Sequence, residues 1–150
     1  MRKMTKHDAV HEFFEEKIKE ITQKSLGFNF SEEFPGSISL VTNYSEKERK
    51  KYIRSGAEKE YGFSIIVVKP YSTDEDNLNL EAMNYAQDIS NWLDRQNKEK
   101  NYPKFPENCQ VKKMETLQNM PNLAGINAKE NLARYMVQCR IIYFEREVTT

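Results

Sequence analysis

At 150 residues the chain has the length of a single domain, and a fold of that size can bury about two-thirds of its unfolded surface. Apolar residues make up 38% of the chain and charged residues 31%, with 23 basic side chains balanced by 23 acidic ones. This balance argues against nucleic acid as the main partner, because nucleic-acid binders cluster Lys and Arg on one surface. No apolar run approaches the roughly 18 residues that a membrane span requires, so we expect no membrane partner.

The N-terminus and the cysteines indicate a cytosolic origin. Met1 to Met4 is basic, but a charged segment follows where a secretory signal peptide would need an apolar stretch. The two cysteines, Cys109 and Cys139, both lie in segments with strand character, which leaves a contact between them open. The alternative is that both are small buried hydrophobes in a reducing compartment.

Residues 6–24 predict an amphipathic helix. Apolar side chains recur at spacings of three and four between Val10 and Ile21, which places them on one face. Thr5 or Asp8 is the expected cap at the start of this helix. The apolar face indicates packing against a core.

A short strand at residues 38–41 leads into a polar segment, residues 43–60, which we name the charged arm. Its many charged side chains and few apolar anchors are typical of a long hairpin, or of a surface loop with a short charged helix. Segments of this length without packing residues tend to be functional. The charged arm is therefore a candidate partner-binding element.

The clearest strand is residues 62–69, a nearly continuous apolar run rich in β-branched side chains, as in a central strand. A second helix is predicted at residues 78–96, and its Trp92 is expected to anchor it on the sheet. The charged connector that follows, residues 97–106, contains two prolines and cannot continue the helix.

Two more strands close the chain. Residues 111–117 form a strand of weak alternation, and residues 118–131 are predicted to be a second long loop. The last strand, residues 133–145, alternates with period two, so that one face is more apolar than the other.

These elements predict one α+β domain over residues 1–150, in the order α-β-β-α-β-β. Segregated antiparallel hairpins with two helices packed on one face make a two-layer architecture. No internal repeat indicates a second unit.

We find no catalytic constellation and expect neither an enzyme, nor a cofactor, nor a metal. The two histidines, His7 and His11, are four residues apart, so a metal site there would need a further ligand such as Asp8 or Glu15. Solvent-exposed histidines are the simpler interpretation. The chain has no glycine-rich phosphate loop and no serine elbow of the hydrolase type.

Several tyrosines stand in polar surroundings and leave two interpretations open. Exposed tyrosine is favoured at protein interfaces because it buries a large area with little entropy loss. The alternative is that these side chains cover the edge of the core. They are Tyr44, Tyr52, Tyr61, Tyr71 and Tyr102.

The second half of the chain resembles a known family. The run GFSIIVVKPYSTDEDNLNLEAMNYAQDISNWLD at residues 62–94, followed by a strand, a loop and ARYMVQCRIIYF at residues 133–144, resembles the small tail terminator proteins of tailed phages. These are also known as tail completion or minor capsid proteins. The resemblance covers residues 62–145, and it depends on element order and hydrophobic pattern.

The resemblance implies a structural protein of the virion tail and neck, made in the cytoplasm of the bacterial host. Its implied partners are copies of itself in a ring, usually a hexamer, the tail tube or sheath, and a neck or head-completion protein. Such a ring caps the tail tube and stops its growth. A ring of this kind requires head-to-tail interfaces that close by rotation.

The expected contacts with the tail end are side chains of the charged arm and of the 118–131 loop. They are Lys47, Arg49, Lys50, Tyr52, Arg54, Asn119, Asn122, Asn127 and Lys129. Deletion of residues 46–58 is expected to leave folding intact while abolishing capping. The alternatives are another head–tail connector or baseplate subunit on the same fold, a small cytosolic enzyme, or a cytosolic modulator of a host complex.

Overall fold

The structure, a computed structural model, describes residues 4–22, 27–28, 38–52, 56–72, 76–117 and 121–146. Five strands of the described chain pair in antiparallel fashion, and the two-residue β1 adds to β2 in parallel. The strand order is β1-β2-β3-β6-β4, with β5 also pairing with β6. The elements are α1 Lys6–Thr22, β1 Gly27–Phe28, β2 Ile38–Tyr52, β3 Gly56–Pro70, α2 Asp76–Lys98, β4 Cys109–Thr116, β5 Asn122–Asn127 and β6 Leu132–Arg146.

The centre of the sheet is the pairing of β3 with β6. Its register runs without a shift from Gly56 opposite Arg146 to Pro70 opposite Leu132. Because strand side chains alternate between faces, every second residue of both strands enters the same core. The paired core residues are Tyr61 with Ile141, Phe63 with Cys139, Ile65 with Val137 and Val67 with Tyr135, all of them buried.

Both helices cover this face. The ring of Phe14 in α1 lies 5.2 Å from the ring of Phe63 in β3 and 5.5 Å from that of Trp92 in α2, measured between centroids. Trp92 also contacts Phe13 of α1, so it joins the two helices above the sheet and does more than anchor α2. The predicted two-layer α+β class, with two helices on one face of an antiparallel sheet, is confirmed.

The start of α1 is capped by both predicted residues. The backbone N–H of Thr5 donates to Asp8 Oδ2 at 2.9 Å, and the backbone N–H of Asp8 donates to Thr5 Oγ1 at 3.2 Å. This reciprocal pair is a capping box, which satisfies N–H groups that have no partner inside the helix.

The charged arm is a hairpin, the first of the two predicted forms. β2 continues through it to Tyr52, and β3 returns from Gly56. It is not a free projection, because β6 runs beside β3 as far as Arg146. Deletion of residues 46–58 would therefore remove sheet-paired residues and the buried Ala57, and we no longer expect the fold to survive it.

Gly56 allows the close approach of β3 to the end of β6. Its φ is +133°, a backbone conformation that residues with a side chain rarely adopt. A Cβ at this position would collide with the backbone oxygen of Glu145. A larger residue at position 56 would therefore separate the two strands at their paired ends.

The prediction that residues 118–131 form a loop is wrong for residues 122–127. These residues form β5, which turns back onto β6 at Asn131, where φ is +54°. The segment lacks the β-branched alternation that predicts strands, and Gly125 with its flanking asparagines is typical of loops. The neighbouring edge of β6 supplies the hydrogen bonds that the local sequence does not predict.

We predict that Phe14→Ala lowers the free energy of unfolding by about 3–5 kcal/mol, because the lost ring leaves a cavity between Phe63 and Trp92. Urea denaturation followed by circular dichroism measures this change. Leu80→Ala, at a side chain that is 58% exposed, is the control and should change stability by less than about 0.5 kcal/mol. Equal losses in the two variants would contradict the packing described here.

Candidate interaction surfaces

The structure places the two groups of predicted contact residues at opposite ends of the sheet. In the charged arm, Lys47 lies opposite Glu60 of β3, while Asn122 and Asn127 of β5 lie opposite β6 residues 136 and 132. Through Glu60, Lys47 is level with Ile142 of β6, so these positions are 6 to 10 residues apart along the strand, or about 20–33 Å at about 3.3 Å per residue. They are therefore two surfaces, and no single contact surface of small size contains both.

The remaining predicted contacts divide in the same way. Arg49, Lys50 and Tyr52 follow Lys47 on β2 in the arm hairpin. Lys129 is exposed in the turn between β5 and β6, where Asn127 Oδ1 accepts the backbone N–H of Glu130 at 3.2 Å. Arg54 and Asn119 lie outside the described residues.

A cluster of charges at the arm end ties α1 to the sheet. Glu145 of β6 forms ion pairs with Lys6 of α1, at 3.0 Å, and with Lys59 of β3. The three side chains are only 13–20% exposed. Lys6 also lies over the ring of Tyr143, 5.4 Å from its centroid. We name Lys6, Lys59, Cys109 and Glu145 the Glu145 cluster.

The electrostatics of the Glu145 cluster favour a structural role. Partial burial alone would raise the pKa of Glu145, but hydrogen bonds and charges from Lys59 and Lys6 outweigh it and hold the pKa below its ordinary value. Burial, together with the neighbouring Glu145 carboxylate, raises the pKa of Cys109 to about 11 despite the two lysines. The thiol is therefore protonated at neutral pH and is a poor nucleophile.

A second charged cluster surrounds Arg140. Its guanidinium lies 2.5 Å from Glu115 Oε1 of β4 and 3.3 Å from Glu60 Oε1 of β3, and Lys113 pairs with Glu115 at 3.0 Å. Partial burial would raise the pKa of Glu115, but Lys113 and Arg140 lower it overall. Arg140 thus links three adjacent strands, and its charge is neutralised within the chain.

The histidines do not form a metal site in the described residues. His7 is exposed and its Nδ1 lies 2.7 Å from the hydroxyl of Tyr61, while His11 Nε2 lies 3.3 Å from Glu15. Asp8 is used in the helix cap. Across the described ranges, no group of three or more His, Cys, Asp or Glu side chains is arranged to hold a metal.

The two cysteines are free thiols, and they do not meet. Cys109 pairs with Glu145 near one end of β6, whereas Cys139 lies beside Thr116 and is fully buried in the core. Burial raises the pKa of Cys139 well above its ordinary value. Of the two interpretations left open by the sequence, Cys139 fits the small buried hydrophobe.

The tyrosines favour the core interpretation wherever their side chains are described. Tyr61 is fully buried, and Tyr71 and Tyr102 are partly buried against the core. The side chains of Tyr44 and Tyr52 lie outside the described part of the chain. The interface interpretation thus stays a prediction for these two residues alone.

A cavity of about 580 Å³ lies between α1, the C-terminal part of α2 and the connector that follows it. Its lining mixes aromatic and aliphatic side chains with charged ones. The described lining contains no histidine, cysteine or serine, but it carries ionisable side chains from Glu and Lys residues. It consists of Met4, Ala9, Glu12, Phe13, Glu16, Lys17, Trp92, Gln96, Asn101, Tyr102 and Lys104.

Sequence reasoning missed this cavity and a pair of exposed aliphatic residues on β5. Leu123 and Ile126 are each 46% exposed. The sequence signal for the exposed pair on β5 was two apolar residues inside an otherwise polar segment. The cavity had no such signal, because its lining comes from three separate segments.

No protein-family model matches this chain, and no curated protein matches it in sequence. Within the described residues, neither helix combines the length and apolar character that crossing a bilayer requires.

We predict that Glu145→Gln lowers the free energy of unfolding at pH 7 by about 1–2 kcal/mol, because it leaves Lys6 and Lys59 partly buried without their carboxylate. The pKa of Glu145 is depressed in the folded chain, so its contribution is present above the ordinary carboxyl value near 4.5 and is lost as pH falls through the folded value. The difference between variant and wild type should therefore shrink at low pH.

Urea titrations at pH 7 and at about pH 3 measure this difference. Glu107→Gln, at an exposed carboxylate, is the matched control and should have little effect at either pH. A stability difference that stays constant with pH would show that Glu145 acts through its packing and not through its charge.

Proposed function

We propose that this chain is a non-enzymatic assembly subunit that forms a ring at the end of a phage tail tube, or of the tube of a phage-like particle. In this proposal the ring stops growth of the tube and joins it to the neck. The confirmed two-layer α+β fold is compatible with the tail terminator family that the sequence resembles.

The observation that carries this proposal is the separation of the two candidate contact surfaces along the sheet. A subunit between a tube and a neck must contact different partners at its two ends. The charged arm lies at one end of the β3–β6 ladder, and the β5–β6 turn lies at the other. A small-molecule enzyme has no need of this arrangement.

The internal charge pairing supports a role in contact rather than in catalysis. In the described clusters, Glu145 and Arg140 are each paired with oppositely charged partners within the chain. Catalytic sites instead tend to hold carboxylates or thiols at pKa values suited to proton transfer. Here the described carboxylates with resolved shifts have lowered pKa values, and the thiols have raised ones.

The arm is tested by charge reversal, which removes no residue from the sheet. Because Lys47 and Lys50 lie opposite Glu60 and Glu58, circular dichroism checks that the variant is folded. We predict that Lys47→Glu, Arg49→Glu, Lys50→Glu and Arg54→Glu together yield over-long tails, as does loss of the gene. The physical reason is that like-charge contacts at a docking surface cost several kcal/mol and suppress binding. Tail lengths measured by electron microscopy of particles from the encoding cells provide the readout.

Reversal of exposed lysines away from the arm is the matched control, and Lys98→Glu, Lys100→Glu and Lys112→Glu should leave tail length unchanged. Tails of normal length after loss of the gene would contradict the proposed function itself. Normal tails from the arm variant, with over-long tails after loss of the gene, would contradict only the role of the arm. A connector or baseplate subunit would instead give tails of normal length that lack heads or baseplates.

A further inference from the structure

The cavity between α1, the end of α2 and the connector has three aromatic rings in its lining. The rings of Phe13 and Trp92 lie 5.6 Å apart, measured between centroids, and Tyr102 of the connector lines the cavity with them. The volume of about 580 Å³ is within the range of natural ligand sites, which combine apolar walls with a few polar groups. The cavity therefore has the room and the apolar surface to hold a small molecule.

One polar side chain of the lining is buried with part of its hydrogen-bonding capacity unused. Gln96 of α2 is only 8% exposed, and its Oε1 accepts a hydrogen bond from Asn101 Nδ2 at 2.6 Å. Its Nε2 has no partner within the described part of the chain. Because Gln96 lines the cavity, a molecule held there can complete these hydrogen bonds by offering a carboxylate or amide oxygen.

The charged side chains at the cavity belong to separate elements. The exposed carboxylates of Glu12 and Glu16 lie four residues apart on α1, and thus on one face of it, while the exposed ammonium of Lys104 lies on the connector. These three groups have no ion-pair partner among the described residues. Glu145 and Arg140, by contrast, are paired within the chain. The charges at the cavity are therefore available to a ligand.

The balance of these charges indicates the class of ligand. Lys17, the fourth charged residue of the lining, lies over the ring of Trp92, 5.9 Å from its centroid. A simple organic cation would compete with Lys17 for this ring. Two carboxylates and two ammonium groups give the lining no net charge, which disfavours a ligand of either sign alone. A molecule that carries both charges can pair with both sides.

We propose that this cavity binds a small zwitterion with an apolar body, which is the chemistry of a short peptide with apolar side chains. Its cationic end lies toward Glu12 and Glu16 and its carboxylate toward Lys104, and an oxygen of the ligand accepts the free N–H of Gln96. The apolar body packs on the aromatic rings beside Trp92. This site goes beyond the proposed function and does not depend on it.

Trp92 supplies the readout, because the only tryptophan of the chain lines the cavity. The probe is the dipeptide phenylalanyl-leucine, titrated into the full chain and followed by tryptophan fluorescence and by calorimetry. Its N-acetylated form lacks the cation, its C-terminal amide lacks the carboxylate, and the doubly blocked form lacks both. We expect each blocked end to weaken binding by about 3- to 5-fold, as for the loss of one exposed ion pair.

Charge-neutral variants assign the two ends of the dipeptide. Glu12→Gln with Glu16→Gln should abolish the preference for a free amino group and keep the preference for a free carboxylate. Lys104→Gln should do the reverse. The matched controls are Glu107→Gln and Lys129→Gln, at exposed residues outside the lining, and they should change neither preference. Equal effects of the cavity variants and the controls would overturn the site.

The hydrogen bond is tested by Gln96→Met, which keeps the length of the side chain and removes its N–H donor. The dipeptide should bind about tenfold more weakly, as expected for a lost hydrogen bond to a charged group. Circular dichroism checks folding, because Gln96 is buried. Gln87→Met, on α2 but outside the lining, is the control. Unchanged affinity in folded Gln96→Met would overturn the assigned hydrogen bond, and the charge variants test the site if this variant does not fold.

Two further results would overturn the proposed ligand. One is the absence of any fluorescence change or heat of binding up to about 10 mM dipeptide, a concentration at which even a weak site is filled. The other is equal affinity for the dipeptide and its doubly blocked form, which would show that an apolar body alone suffices. Neither result bears on tail length, so the proposed function is tested separately.

Discussion

The unbroken antiparallel pairing of β3 with β6 is the constraint on which the other parts of this molecule depend. β2 adds to one side of the pair, and β4 and β5 share the other side. Both helices rest on the face that carries Tyr61, Phe63 and Ile65 with their partners from β6. A slip of one residue would turn all of these side chains to the opposite face, so the core determines the register strongly.

The length of this pairing also explains the positions of the buried charges. A strand pair that continues beyond the apolar core must bring polar residues into partly buried positions, where an unpaired charge is costly. Glu145 meets Lys6 and Lys59 on the helix side at this end. Arg140, between the buried Cys139 and Ile141, instead meets Glu60 and Glu115 on the opposite face of the sheet. Part of the high charge content is therefore used inside the fold, and α1 is held to the sheet through Lys6.

A long central pair also produces a subunit with two distinct ends. The charged arm and the turn after β5 lie at opposite ends of the β3–β6 pair. This geometry suits an assembly in which each copy contacts unlike neighbours.

Local periodicity in the sequence was sufficient to predict α1, the capping residues Thr5 and Asp8, and the alternating strand that became β6. These features depend on neighbours a few residues apart, and the core face of each element follows from its own pattern. The fold class followed from the order of these elements.

Tertiary structure alone decided where strand pairing extends. One edge of β6 pairs with β3 along the charged arm as well as along the core. The other edge of β6 pairs with Asn122–Asn127, so that this loop-like sequence forms a strand. Tertiary structure also decided three other features. They are the cavity, the separation of Cys109 from Cys139, and the placement of the two predicted contact groups at opposite ends of the sheet. Each depends on contacts between residues far apart in the chain, which a local pattern does not encode.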